Sequence, residues 1–259
     1  MDKARRIAVI LPFIAGDSVS DVERAIASVF AQSVTDYCIY AMFSGGIGDD
    51  VKAAILRALP ADNAHAKVFH RDERLSAAEA RNFLLDQTEE PVVAFLDSDD
   101  AWHPDHLADF VAACPADKSV FYFTDFRLAQ SRRRISFAPP ERSLGYLIRQ
   151  PILLSSVIVQ KGDLRFRNIR AEDFIFNHDA MKRAEIVIHH PEVRVTYDQT
   201  RTSHKTMLFR VKRTYRIMQI LTGSHLAAAF LTLHYVTTFT WRKLVLRLRP
   251  GRDEYNTAT

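Results

Sequence analysis

The sequence has little of what marks special architectures: 2 cysteines, 8 glycines and 10 prolines among 259 residues. Cys38 and Cys114 lie among apolar or small residues, so they form neither a disulfide framework nor a zinc site, and they favour a reducing compartment. The scarcity of Gly and Pro, without any fixed-period repeat, excludes collagen-like, solenoid and linker-dominated chains. A hydrophobic fraction of 47% indicates a globular protein that buries a core.

Acidic residues are absent from one long segment. Residues 199–252 contain 11 lysines and arginines and no aspartate or glutamate, whereas residues 1–198 contain 24 basic and 29 acidic residues. The net charge of +4 is therefore an average over an acidic body and a basic tail. Such asymmetry is typical of an appendage that faces anionic lipid or nucleic acid, and a solvated basic face is the alternative.

The hydrophobic pattern predicts an α/β fold. Short apolar runs alternate with segments of helical period, which is typical of a mostly parallel sheet flanked by helices. The predicted strands cover residues 6–13, 37–43, 66–70, 92–96, 119–126, 151–160, 186–188 and 193–197. One predicted helix begins at Asp17 or Ser18, three more cover residues 49–59, 76–87 and 172–183, and another opens at 101–104. We expect a domain over residues 1–200 and a basic helical region over 201–259.

Four polar residues, Asp97, Ser98, Asp99 and Asp100, follow the apolar run 92–96. Ligands of open α/β sheets bind beyond the carboxyl ends of the strands, so this motif lies where a site is expected. Carboxylates separated by one residue can share a hard cation such as Mg²⁺ or Mn²⁺, which would stabilise a departing diphosphate. Capping of the next helix is the alternative role.

Five sequence blocks carry a family resemblance. They are AVILP at 8–12, ASVFAQS at 27–33, LSAA and ARN within 75–82, FLDSDD at 95–100 and AEDFIF at 171–176. In this order they resemble the family 2 glycosyltransferases, which use nucleotide sugars and have the GT-A fold. The resemblance covers roughly residues 6–200 and implies an inverting enzyme that depends on a divalent metal.

The resemblance also implies roles for individual residues. Asp99 would be the main metal ligand, and Asp97 would contact the donor ribose or the same ion. Arg81 would lie near the donor, because a guanidinium satisfies phosphate or ribose oxygens. Asp173 would be the general base that deprotonates the acceptor hydroxyl, and Glu172 would orient it. An acidic first turn of a helix is the structural alternative for this last pair.

Further donor contacts are expected at Pro12, Phe13, Ser44 and Ser98. Most family members have an acidic turn after the second strand, whereas this chain has Phe43-Ser44-Gly45-Gly46. The Ser44 hydroxyl can hydrogen-bond to a nucleobase edge, but it supplies no carboxylate.

Several neighbouring residues have two interpretations. Trp102 either stacks on a sugar or nucleobase or covers the strand edge. His103 and His106 either extend the metal site or are surface helix residues. A basic group would either fold over the diphosphate as a flap or form a solvated loop; it comprises Arg201, His204 and Lys205.

The tail predicts two helices. Over residues 205–221 an apolar stripe and many basic residues form an amphipathic pattern suited to an anionic membrane surface. Residues 217–241 contain no charged side chain, but their polar residues argue against a membrane span. Packing on the core or on a second subunit, as in a homodimer, is the alternative. A specific nucleic-acid partner is not expected, because the tail lacks a recognised motif.

Together these features predict a metal-dependent hexosyltransferase. It would move a sugar from a nucleoside diphosphate to a hydroxyl of a glycan or lipid-linked acceptor, in surface polysaccharide or lipopolysaccharide synthesis. We expect it to be peripheral at the cytoplasmic face of a bacterial inner membrane. The alternatives are a non-catalytic GT-A-like scaffold or membrane-binding module and, less favoured, a nucleotidyltransferase, which would need a glycine-rich basic loop after the first strand.

Overall fold

The computed structural model describes residues 6–136, 152–169, 171–198 and 207–248, excluding the side chains of 207–210 and 238–248. The described residues fall into two compact units, of which the first ends at residue 198 and the second comprises residues 207–248.

Nine strands of the first unit form one mixed sheet. The strands are β1 Ile7–Phe13, β2 Tyr37–Phe43, β3 Ala66–His70, β4 Val92–Phe95, β5 Ala101–Trp102, β6 Val120–Leu128, β7 Arg134–Ile135, β8 Val157–Gln160 and β9 Ile186–Tyr197. Their order in the sheet is β3-β2-β1-β4-β8-β6-β9-β5, with β7 paired to β6. Strands β1 to β4 are mutually parallel where they pair, whereas β8 is antiparallel to both β4 and β6.

Five helices within the described residues accompany this sheet, and local capping explains where two of them begin. The Ser18 side chain accepts a hydrogen bond from the backbone of Asp21, and Ser76 forms a reciprocal capping box with Glu79. These contacts satisfy amide groups that a helix leaves unpaired at its amino end. The helices are α1 Val19–Phe30, α2 Asp49–Ala58, α3 Ala77–Gln87, α4 His106–Ala113 and α5 Glu172–Arg183.

The core lies around the two central parallel strands. Every residue of β1 and β2 is buried, as their uninterrupted apolar sequences predict for strands covered on both faces. Val9, Leu11 and Ile39 are fully enclosed, and each such side chain stabilises the fold by about 1.5–3 kcal/mol. The predicted α/β fold is therefore confirmed.

The topology brings the ends of several strands to one edge of the sheet. Strands β1, β2 and β4 run in the same direction, so Phe13, Phe43 and Phe95 end at this edge. Strand β8 runs in the opposite direction, and Ala94 pairs with Ile158. The residues before β8 consequently lie beside those after β4.

Three regions of the structure differ from the prediction. Ala101 and Trp102 form a strand paired with β9 instead of opening a helix, which begins at His106. The expected strands 186–188 and 193–197 are one strand, because β9 pairs with β6 across two register shifts. The described part of the expected strand 151–160 begins with a 3-10 turn at Leu154–Ser156, and only Val157–Gln160 is extended.

The second unit contains two helices, α6 Met207–Thr222 and α7 His225–Leu248. Gly223 separates them with a φ of 65°, a left-handed conformation that favours glycine. Met218 of α6 packs against Ala228 and Leu231 of α7. Within the described residues, neither of these helices nor any other has the length and hydropathy needed to cross a membrane.

Candidate active site

A buried arginine joins the two acidic motifs of the sequence. Arg81, on α3, donates from Nη2 to Asp97 Oδ1 at 2.5 Å and from Nη1 to Glu172 Oε1 at 3.1 Å. Burial alone would lower the pKa of Arg81, but attraction to Asp97, Glu172 and Asp173 outweighs burial and raises it. The structure therefore brings together four of the residues to which the sequence assigned functions.

The position of Arg81 is fixed by aromatic and backbone contacts. Its guanidinium carbon lies 5.3 Å from the centre of the Phe166 ring, which stacks on Phe176 at 4.0 Å. The Asn82 side chain holds the Phe166 backbone at both ends: Nδ2 donates to the carbonyl at 2.8 Å, and Oδ1 accepts from the amide at 2.7 Å. Sequence analysis assigned no function to Asn82 or Phe166.

Ser155, which precedes β8, organises the acidic motif from the neighbouring strand. Its Oγ accepts from the Asp97 amide at 3.1 Å and donates to Asp100 Oδ2 at 2.5 Å. The Asp198 amide donates to Asp100 Oδ1 at 3.1 Å. Burial, followed by repulsion from Asp97, raises the pKa of Asp100 well above its usual value. The buried Asp100 carboxyl therefore links Ser155 to the Asp198 backbone, whereas Asp97 and Asp99 are partly exposed.

Arg24, a second arginine that sequence analysis missed, fixes the backbone of Asp99. Its Nη2 donates to the Asp99 carbonyl at 2.6 Å. The same guanidinium forms ion pairs with Asp21 at 2.9 Å and Asp198 at 3.6 Å. Nothing in the local sequence marks Arg24, because its partner follows another strand.

The second acidic motif begins α5. Ala171 adopts a left-handed conformation with φ 65°, so Glu172 and Asp173 occupy the first helical turn. Carboxylates are stabilised there by the helix dipole. Burial is the main cause that raises the pKa of Glu172, with a contribution from Asp173, while Arg81 opposes the increase. Both carboxylates remain partly exposed.

The other expected donor contacts are buried in this structure. The side chains of Pro12, Phe13, Ser44 and Ser98 are all buried, and the Phe13 ring belongs to the hydrophobic core. Ser44 Oγ accepts a hydrogen bond from the Leu75 amide at 3.4 Å. These side chains are therefore not presented to solvent.

The turn after β2, where the resembled family has acidic residues, makes a close backbone contact. The Gly45 amide donates to the Glu73 carbonyl at 3.0 Å. A Cβ atom at Gly45 would lie 2.0 Å from the Asp72 carbonyl oxygen, which is far inside van der Waals contact. The Asp72 carbonyl therefore leaves room only for glycine at this position.

The structure corrects the interpretation of Trp102 and of one nearby histidine. Trp102 is buried and donates from Nε1 to the Ser155 carbonyl at 2.7 Å, so its ring covers the strand edge instead of facing a sugar. His106 is also buried, 4.8 Å from the Trp102 ring, and burial lowers its pKa to about 3. His106 is therefore not a surface residue, while His103 is exposed.

The carboxylates at this site fit a hard divalent cation that a substrate helps to bind. Among the described residues, no group of three or more His, Cys, Asp or Glu side chains could hold a metal ion. Mg²⁺ is commonly bound by only one or two carboxylates together with substrate phosphates. Asp97, with its side chain 32% exposed, and Asp99 can supply these oxygens. The predicted flap, Arg201, His204 and Lys205, lies outside the described residues.

Comparison with known structures supports this fold. S. aureus TarS, residues 1–349, is similar with a TM-score of 0.67 and 16% identity, over 89% of this chain and 70% of that chain. Its complex with UDP-GlcNAc has a TM-score of 0.65 and 16% identity, over 95% of this chain and 76% of that chain. The mannosyltransferase PcManGT from Pyrobaculum calidifontis, in complex with GDP-Man and Mn²⁺, has a TM-score of 0.63 and 15% identity, over 96% of this chain and 77% of that chain.

Sequence comparison identifies the family. A search of curated proteins finds no significant match. Residues 9–160, more than half of the chain, match the model of glycosyl transferase family 2. With the GT-A architecture and the joined acidic motifs, this match shows that the chain belongs to glycosyltransferase family 2.

Proposed function

We propose that this glycosyltransferase is an inverting, metal-dependent enzyme that moves a sugar from a nucleoside diphosphate to an acceptor hydroxyl. One observation carries the proposal: Arg81 binds Asp97 and Glu172 at the same time. This ion-pair network connects the expected donor side of the site to the expected acceptor side. It also leaves more carboxylates than guanidinium groups, which favours a bound cation.

The chemistry follows from a single displacement. The acceptor oxygen attacks the anomeric carbon, its proton passes to a carboxylate oxygen of Asp173, and the bond from the anomeric carbon to the diphosphate breaks. Attack opposite the leaving group inverts the configuration. Glu172, held by Arg81, orients the acceptor or the base. A divalent cation bound through Asp99 and Asp97 would neutralise charge on the diphosphate.

Ligands of the similar proteins support a nucleotide-sugar donor. TarS has been solved with UDP and with UDP-GlcNAc, and PcManGT with GDP-Man and Mn²⁺. We infer a donor of the same class for this chain, together with Mn²⁺ or Mg²⁺. Asp97 and Arg81 are the proposed donor-binding residues, at the end of β4 and on α3.

The basic tail supports an acceptor at a membrane. An excess of 11 positive charges within residues 199–252 favours an anionic surface. We propose a glycan or lipid-linked acceptor used in surface polysaccharide or lipopolysaccharide synthesis. The enzyme would then be peripheral at the cytoplasmic face of a bacterial inner membrane.

Two substitutions test the assigned roles. A screen of nucleoside diphosphate sugars with Mn²⁺ should find one that raises the thermal midpoint only with the metal, because a ligand of the native state stabilises it. Asp99→Ala should abolish this shift. Asp173→Asn should retain the shift but lose transfer, measured as released nucleoside diphosphate. Asp117→Asn, at an exposed turn, is the control and should retain both.

The outcomes distinguish this enzyme from a non-catalytic scaffold. The scaffold is the alternative that Ser44, in place of an acidic residue, favours. A scaffold would bind no nucleoside diphosphate in a metal-dependent manner. Full transfer activity in Asp173→Asn would refute the choice of base. Retained metal-dependent binding in Asp99→Ala would refute the choice of metal ligand.

A further inference from the structure

Helix α7 carries an uncovered apolar stripe. Leu226, Phe230 and Leu233 are 85%, 69% and 63% exposed, the highest values among the large hydrophobic residues that the structure describes. Spacings of four and three residues place them on one face of the helix. We call these three residues the outer stripe.

Another apolar face of the same helix is already occupied. Ala228 and Leu231 are buried and pack with Met218 of α6, while Tyr215 contacts this small cluster. Tyr215 Oη also shares a hydrogen bond with His225 Nδ1 at 2.8 Å. The α6–α7 hairpin thus uses one face of α7 for its own packing, and the outer stripe is additional apolar surface.

This arrangement changes the expectation for the tail. The sequence placed the membrane-seeking surface on the apolar side of the first helix, which includes Tyr215 and Met218. In the structure Met218 is fully buried and contacts α7. The part of that face nearest the helix junction therefore holds the hairpin together, and the outer stripe of α7 is the exposed apolar surface.

The charge of the tail favours one occupant. Lys212 and Arg216 are exposed on α6 at a spacing of four residues, and residues 199–252 contain no acidic side chain. A symmetric pair of chains would bring two such positive surfaces together, which repel each other. An anionic bilayer instead offers hydrocarbon to the stripe and phosphate groups to the cations.

The composition of α7 also fits shallow insertion. Residues 217–241 contain no Asp, Glu, Lys or Arg, so burying the stripe at the acyl boundary removes no full charge of that segment from water. Basic residues resume at Arg242 and Lys243. No described helix is suited to spanning, so the compatible orientation is parallel to the bilayer plane.

We infer that the outer stripe of α7 is the face by which this protein inserts into the surface of an anionic phospholipid bilayer. This inference rests on the proposed membrane location and deepens it. It assigns the apolar contact to Leu226, Phe230 and Leu233 and the electrostatic contact to the basic residues of the tail. It makes no use of the residues that bind Arg81.

The test uses the full chain and sedimentation with vesicles of phosphatidylcholine alone or mixed with phosphatidylglycerol. The triple variant Leu226→Ser, Phe230→Ser, Leu233→Ser should partition into mixed vesicles at least about tenfold less than the unmodified chain. The matched control is Phe30→Ser, Leu56→Ser, which removes exposed apolar side chains of α1 and α2. The control should bind as the unmodified chain does.

Folding and self-association are measured on the same samples. Far-ultraviolet circular dichroism and the metal-dependent thermal shift with donor should be unchanged in the triple variant, because its substituted side chains are exposed. Equal vesicle binding by the triple variant would overturn the role of the stripe but not the membrane location. If the unmodified chain fails to bind mixed vesicles, both proposals are overturned. A dimer that the triple substitution dissociates, measured by light scattering, would identify a second copy as the occupant and overturn the inference.

Discussion

His106 provides the sharpest quantitative prediction. Its ring is fully buried, and neither Nδ1 nor Nε2 has a hydrogen-bond partner among the described residues. Burial, with smaller contributions from Arg194 and His190, lowers its pKa from 6.5 to about 3. Asp109 Oδ2 lies 2.5 Å from Arg194 Nε and 3.1 Å from His190 Nε2, so the positive charge of Arg194 is compensated. His106 therefore stays neutral in the folded protein.

The direction and size of the pH effect follow from proton linkage. Below pH 6.5 the unfolded chain protonates this histidine and the folded chain does not, so the free energy of unfolding falls as the pH falls from 6.5 toward 3. Each pH unit corresponds to about 1.4 kcal/mol. Between about pH 7 and about pH 5 the contribution of His106 amounts to a loss of roughly 2 kcal/mol.

The assay compares His106→Phe with the unmodified chain. Urea unfolding, followed by circular dichroism at both pH values, should show that the variant loses roughly 2 kcal/mol less on acidification. Phe110→Leu is the control, because Phe110 packs on Tyr122 in the same region and the change removes no titratable group. Its pH dependence should match that of the unmodified chain. Equal acid sensitivity in His106→Phe would refute the reasoning.

Two further predictions concern the supports of the site. Gly45→Ala should lower the free energy of unfolding by about 2 kcal/mol or more in chemical denaturation, because its Cβ collides with the Asp72 carbonyl. Gly162→Ala, which has open space and no left-handed φ, should change stability by less than about 0.5 kcal/mol; equal effects would contradict the steric argument. Asn82→Asp should lower the free energy of unfolding by about 1–3 kcal/mol, since the Phe166 carbonyl loses its hydrogen-bond donor. An unchanged midpoint of urea unfolding would count against that contact.

Much of the fold could be predicted because local patterns determine it. The apolar run 37–43 and the shorter run 66–70 are strands with the expected bounds. Ser18 and Ser76 cap helices where the sequence placed helix starts. The position of Asp97 at the carboxyl end of a parallel strand followed from the alternation of strands and helices.

Contacts between distant segments could not be predicted in the same way. Ala101 and Trp102 follow a polar motif and precede a proline, so local signals favoured a helix start; pairing with Thr196 and Val195 makes them a strand. Ser155 lies beside Asp97 only because β8 is antiparallel to β4. The burial of Trp102 and His106 depends on the same packing, which no spacing in the sequence reveals.

The strand order also constrains the sequence of events during synthesis. Strands β1 to β4 can pair among themselves once residue 95 has emerged. Strand β6 is complete at Leu128, yet its neighbours β8 and β9 follow later in the chain, and of the strands that the structure describes only the two-residue β7 pairs with it before then. Its edges stay largely unpaired while about thirty more residues are made, at ~5–20 residues per second. The nascent chain is therefore most exposed to wrong strand pairing just before Val157–Gln160 joins the two halves of the sheet.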